Sequence, residues 1–120
     1  MQRKHRLQMT AEEIVYAETL VHARDEWSFS PGSEFDKRLQ ERGITKDQAL
    51  EALWHGYVVE VNDRGRAVIR SKSGTVVVCS IQDGGLVTTW KNASNDNHST
   101  LDRSAYKWRV NIIDYLRGLK

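Results

Sequence analysis

Tyr57-Val-Val-Glu-Val-Asn62, then Asp63-Arg-Gly65, then Arg66-Ala-Val-Ile-Arg-Ser71, then Lys72-Ser-Gly74, then Thr75-Val-Val-Val-Cys-Ser-Ile81, then Gln82-Asp-Gly-Gly85, then Leu86-Val-Thr-Thr-Trp-Lys91: this stretch decides the fold. From Tyr57 onward the apolar residues recur with a period near two, the signature of strands with one buried face. Each run is closed by a glycine-bearing turn too short for anything but a reversal. Three such turns in succession demand an antiparallel meander of four strands.

Upstream the period is helical. Thr10-Ala-Glu-Glu13 is a capping box, with Thr10 as N-cap and Glu13 at the third position. It opens a helix reaching residue 24, with Ile14, Ala17 and Val21 along one stripe. Pro31-Gly32 breaks the chain. A second helix runs over 34–42, placing Phe35 and Leu39 inward, with Gly43 as its C′ residue. Thr45-Lys-Asp-Gln48 is another capping box, and the helix it opens ends at Gly56, again read as a C′ glycine. Downstream, 92–100 is a polar loop. Leu101, Ala105, Trp108, Ile112, Leu116 and Leu119 recur at steps of three and four, which predicts one amphipathic C-terminal helix capped by Ser99 and lying over the sheet. The fold class is therefore α+β: N-terminal helices, a four-stranded antiparallel meander and a C-terminal amphipathic helix. Residues 1–9 read as a basic, frayed arm, and 10–120 as one domain.

Composition narrows the function classes. The chain has 120 residues, 39% hydrophobic and 28% charged, with net charge +2. No apolar run approaches the roughly 18 residues of a membrane span, and Met1-Gln-Arg-Lys-His-Arg6 lacks the apolar core of a secretory signal. The lone Cys79 in a β-run reads as a small core hydrophobe. The expected location is cytoplasmic, without membrane attachment. There is no His-Glu-x-x-His, no cysteine pair for zinc, no Gly-x-Gly-x-x-Gly and no phosphate-binding loop, so no cofactor and no metal is expected.

The segments His22-Ala23, Arg42-Gly-Ile44 and Val87-Thr88 have a family look. Set around a capped helix and a meander over residues 22 to 91, they resemble small domains assigned to the Barnase–EndoU–Colicin–RelE (BECR) superfamily. That resemblance implies a metal-independent endoribonuclease fold often found in toxins and mobile elements, many members of which have no established activity. It also implies a phosphate or base contact for the closing-strand Thr88.

Metal-free RNA cleavage needs a base for the 2′-hydroxyl, cations for the pentavalent phosphate and an acid for the leaving 5′-oxygen. His22 is a candidate base or acid, because Glu18 lies one helical turn before it and can orient the ring; an ordinary exposed Glu–His pair has the same spacing. Arg64, Arg66, Arg70 and Lys72 share parity, so the strand residues Arg66 and Arg70 point to one sheet face. That is the pattern of a phosphate clamp and equally of a solvated face. Thr88, Thr89 and Lys91 add polar groups on the last strand, where Thr is also a common strand former. His22, Arg70 and Thr88 are thus the catalytic candidates, and Arg64, Arg66, Lys72, Thr89 and Lys91 the RNA-binding ones. His98 is a further loop candidate, His55 suits the end of its helix, and His5 reads as solvent-exposed. Trp27 is read as able to stack on a base. Two readings follow: an RNA-cleaving or RNA-binding toxin-type domain, whose protein partner would be an antitoxin, or a non-catalytic protein-interaction module of phage or mobile-element origin that binds a host protein. Oligomeric state is left open.

Overall fold

The computed structural model describes residues 1–93 and 101–119. In chain order the elements are β1 (Arg3–His5), a single 3-10 turn (Arg6–Gln8), α1 (Ala11–His22), α2 (Glu34–Glu41), α3 (Lys46–His55), β2 (Tyr57–Asn62), β3 (Arg66–Arg70), β4 (Thr75–Ser80), β5 (Leu86–Lys91) and α4 (Ile112–Arg117). The meander and its turns form as the sequence predicts. The sheet, however, has five strands in the order β1-β2-β3-β4-β5, all neighbours antiparallel.

The added strand corrects the reading of residues 1–9 as a frayed arm. Arg3 pairs with Asn62, Lys4 with Val61 and His5 with Glu60. Alternation then divides the arm's charges between two faces. Lys4 turns toward the helices, and its Nζ donates to Glu13 Oε2 at 2.8 Å and to the Val110 carbonyl at 3.1 Å. Arg3 and His5 face the other way.

Among the described residues the helices cover only one face. Ala17 and Val21 of α1, Phe35 and Leu39 of α2, and Ala49, Ala52 and Leu53 of α3 form one core with Val58, Val61, Ala67, Ile69, Val77 and Cys79 of the sheet. The local signals are satisfied as read. Thr10 and Glu13 exchange capping hydrogen bonds at 2.9 and 3.2 Å, and Thr45 and Gln48 do so at 3.0 and 3.1 Å. Gly43 adopts φ 62° and Ile44 N–H donates to the Leu39 carbonyl, which closes α2. Cys79 is fully buried, and burial pushes its thiol up to about 12.

Gly56 ends α3 for a different reason from the one its position implies. Its φ of −75° is open to any residue. What requires glycine is proximity: a Cβ there would collide with the Ala52 carbonyl and lie 2.7 Å from both the Arg70 carbonyl and Ile69 Cγ2. Two of these obstacles are backbone, so α3 would have to move off the sheet. Gly56→Ala is expected to cost about 1–3 kcal/mol, read as a lower midpoint in urea with an unchanged slope.

Two bulges disturb the simple alternation. The β2–β3 register shifts between Val58 and Glu60, so Val58 and Val61 both reach the main core while Val59 joins the opposite face. The β4–β5 register shifts at Val78/Cys79. Leu86 therefore pairs with Cys79 and packs with the main core, whereas Trp90 pairs with Val76 on the other face. Strict parity places Leu86 and Trp90 together, and the bulge separates them.

The C-terminal segment departs most from expectation. Among its described residues only Ile112–Arg117 is helical, and 101–111 is irregular; the expected cap, Ser99, lies outside the described residues. The physical reason is that this segment must serve both sides of the sheet. Tyr106 packs edge-on against His5 on the open face, with centroids 5.2 Å apart, while Trp108 is buried in the helix-side core, 4.7 Å from the Tyr115 ring. An irregular segment, not a helix, meets these partners on the two sides of the sheet. The chain crosses the β1 edge, held by Gln8 Nε2 donating to the Tyr106 carbonyl and by Lys4 on Val110. It thereby covers the exposed strand edge. Asn111 then caps α4, its Oδ1 accepting from Asp114 N–H. α4 packs beside α1, and among the described residues no helix covers the second sheet face.

Candidate functional site: an open cleft on the helix-free sheet face

The helix-free face carries a small apolar floor of Val59, Val68 and Val76, flanked by Tyr57, Val78 and Trp90. Above it lies a cleft of about 500 Å³ whose polar lining is Arg3, His5, Glu60, Asn62, Arg66 and Tyr106. Strand pairing explains the convergence. His5, Glu60, Val68, Val78 and Thr88 are successive partners across all five strands, so they form one transverse row. Arg3, Asn62 and Arg66 lie toward one side of that row, and Trp90 toward the other.

Glu60 is the centre of the polar network. It is 7% exposed. Its Oε1 accepts from the Tyr106 hydroxyl at 2.7 Å, and its Oε2 lies 3.6 Å from Arg3 Nη1. The Arg3 guanidinium also covers the Tyr106 ring, 4.5 Å from its centroid. Burial, and then the hydrogen bond to the Glu60 carboxylate, push the Tyr106 phenol up to about 12. Tyr106 consequently remains a proton-bearing donor to Glu60 throughout the neutral range.

His5 corrects the expectation of a solvent-exposed arm residue, being 3% exposed. Its Nδ1 accepts from Leu7 N–H at 3.1 Å, and Gln8 Oε1 accepts from His5 N–H at 3.2 Å, a capping box for the 3-10 turn. An accepting Nδ1 assigns the ring proton to Nε2. On the other side of the row, the Asn62 side chain accepts from the backbone N–H of Arg64 and Arg66, fixing the β2–β3 turn from which Arg66 enters the cleft.

The residues singled out in the sequence are dispersed. Arg66 lines the cleft. Thr88 belongs to the transverse row at its far end. Arg70 is on the same face, yet only 2% exposed. His22 is engaged elsewhere: its Nε2 lies 2.6 Å from the Gly56 carbonyl, and the Glu18 carboxylate accepts from Val58 N–H at 2.9 Å. The Glu18–His22 pair thus ties α1 to the α3–β2 junction. Thr89 is buried on the helix side and donates to the Val76 carbonyl at 2.7 Å. Arg64 and Lys91 are exposed, and Lys72 lines a separate depression with Glu51, His55 and Ser71. Trp27 is buried in the main core, whereas Trp90 offers its ring to the cleft, with Nε1 donating to Asn92 Oδ1 at 2.8 Å. His98 lies outside the described residues.

His5, Glu60 and Tyr106 do not stand out in the sequence as site residues, because they converge only through strand pairing and an edge crossing. One signal is present: Glu60 is the sole charged residue in Tyr57–Asn62, a strand otherwise built to be buried. A carboxylate in such a strand implies a partner or a role.

Among the described residues no group of three or more His, Cys, Asp or Glu side chains is placed to hold a metal ion, and no helix is long and apolar enough to cross a membrane. No protein-family model, curated protein or solved structure matches the chain.

Proposed function

We propose that the helix-free sheet face binds single-stranded RNA and cleaves it without a metal ion. The observation that carries this reading is the cleft itself, in which two guanidinium groups, a carboxylate, an imidazole and an aromatic face converge on one concave surface. Glu60 takes the proton of the 2′-hydroxyl. The 2′-oxygen then attacks phosphorus, the bond to the 5′-oxygen breaks, and a 2′,3′-cyclic phosphate and a 5′-hydroxyl result. Arg3 and Arg66 neutralise the charge that grows on the non-bridging oxygens. His5, across the strand pair from Glu60, donates its Nε2–H to a non-bridging phosphate oxygen. Water supplies the proton of the leaving 5′-oxygen, and Tyr106 orients the Glu60 carboxylate. Trp90 offers a face on which a neighbouring base stacks, an interaction indifferent to base identity. The BECR resemblance supports the same class of chemistry on different residues.

Arg3 and Arg66 give this reading a direct test. Binding of a labelled single-stranded RNA should weaken with salt, and Arg3→Ala with Arg66→Ala should reduce the log–log slope by about 0.7 for each phosphate no longer neutralised. An unchanged slope in the folded double variant places the RNA elsewhere.

A second reading has its own observation. The outer surfaces of α1 and α4 form a cavity of about 490 Å³ with an apolar lining that includes Val15, Leu20 and Ile113, and Val15 is 61% exposed. Such a surface suits a protein partner such as an antitoxin. Val15→Asp would abolish capture of that partner while leaving RNA binding intact.

A further inference from the structure

Beyond the cleft's Val68, β3 ends in Arg70, which pairs with Val76 and through it with Trp90. Arg70 is only 2% exposed, and among the described residues its Nε and Nη1 have no hydrogen-bond partner. Its one bond among the described residues is from Nη2 to the Ala93 carbonyl, at 3.3 Å. None of the ion pairs among the described residues includes Arg70. An arginine stays charged in any protein environment. A buried charge without a counter-ion is one of the costliest arrangements a fold can retain.

The surroundings show what the guanidinium can accept. It lies against the Ser71–Gly74 turn, where a Cβ on Gly74 would stand 3.8 Å from Nη2 and 2.7 Å from the Asn92 carbonyl oxygen. Gly74 has φ 97°, a conformation that favours glycine, so the turn keeps the guanidinium's flank free of a side chain. Lys72 on the same turn is exposed and adds positive charge at this end of the sheet. Once Nη2 leaves the Ala93 carbonyl, it forms a planar fork with the unpartnered Nε–H or Nη1–H, and either fork matches two oxygens of a tetrahedral oxyanion.

We infer that Arg70 is an anion site for a phosphate group, reached by displacement of the weakly held Ala93 carbonyl. The site stands on Arg70 itself; its assignment to a backbone phosphate of bound RNA, beyond the base stacked on Trp90, rests on the cleft reading.

The test compares wild type with Arg70→Met, whose side chain is unbranched and apolar, in thermal melts with inorganic phosphate replacing chloride at constant ionic strength. Phosphate should raise the melting temperature of wild type by several degrees and that of Arg70→Met not at all. Without phosphate the variant should melt at or above wild type, since an unpaired buried charge has been removed. An equal rise in both proteins, or no rise in wild type, would each overturn the inference. If the variant does not fold, the Arg70 Nε–H resonance of wild type decides: it must move on phosphate addition. With single-stranded RNA, Arg70→Met should bind about tenfold more weakly with a slope smaller by about 0.7. Full RNA affinity with an abolished phosphate response overturns the RNA assignment and supports a site for free phosphate. A phosphate response without any RNA binding by wild type overturns the cleft reading and leaves the Arg70 site standing.

Discussion

Glu60→Gln is expected to lower metal-independent RNA cleavage by about 100- to 10,000-fold, the range general-base catalysis spans, while RNA affinity changes much less. Glutamine keeps the size of the side chain and can still accept from the Tyr106 hydroxyl. It cannot take a proton from the 2′-hydroxyl, and it no longer attracts Arg3, 3.6 Å away. Single-turnover cleavage of a labelled RNA in EDTA measures the chemical step, and a binding titration of the same RNA measures affinity. If Glu60→Gln cuts as fast as wild type, Glu60 is not the base. If affinity collapses with it, Glu60 shapes the cleft and does not act chemically.

The second large effect concerns stability. Glu13→Ala is expected to cost about 3–5 kcal/mol, or roughly 10–20 °C in melting temperature for a domain of this size. Glu13 is 2% exposed, and its carboxylate joins three parts of the chain. It accepts from Thr10 N–H at the start of α1, from Lys4 Nζ on β1 and from Ile112 N–H at the start of α4. Truncation leaves a largely buried ammonium and a buried N–H without this partner. Burial alone would raise the carboxyl's pKa. The hydrogen bond from Lys4, those from the Thr10 and Ile112 N–H groups and the Lys4 charge together outweigh it, and hold the group below its ordinary value of 4.5. A depressed carboxyl contributes stability that is present above the unfolded-state value and is lost as pH falls through the folded one. Wild type should therefore lose stability as pH drops below about 4.5, and Glu13→Gln should lack that part of the acid dependence. Identical acid profiles for the two proteins would contradict this role for Glu13.

The same residue shows which features the sequence made legible. Glu13 as a capping partner of Thr10 is a local pattern, readable because both residues lie within one turn. The Thr45–Gln48 box, the Gly43 stop and the three hairpin turns are local in the same way, and each forms as read. Glu13 as the clamp on Lys4 and Ile112 was not readable, because it depends on β1 and α4 arriving at the start of α1. β1 has three residues and little apolar character of its own. It is a strand because the β2 edge offers partners, not because Arg3-Lys-His5 prefers extended structure. The periodic stripe from Leu101 to Leu119 misled for a related reason. Its spacing suits a helix, yet Tyr106 and Trp108 have partners on opposite sides of the sheet.

The candidate site divides along the same line. Same-parity reasoning correctly put Arg66 and Arg70 on one face, since β3 itself has no bulge. It failed on β2 and β5, where a shift of register changes which side chains share a face. The histidine beside a helical glutamate, His22, is a brace to the Gly56 carbonyl. The histidine placed in a supposed arm, His5, is the one the sheet brings opposite a carboxylate. Residue type was informative in both cases, and position became informative only once strand pairing was known.

The most direct test of the cleft as the functional surface is a titration of isotope-labelled protein with a short single-stranded RNA, followed through backbone amide and tryptophan indole resonances. The cleft reading predicts that the largest changes fall on the Trp90 indole and on the amides of His5, Glu60, Arg66 and Val68, with α1 and α4 unaffected. Changes confined to Val15, Leu20 and Ile113, or no change at any RNA concentration, would contradict it.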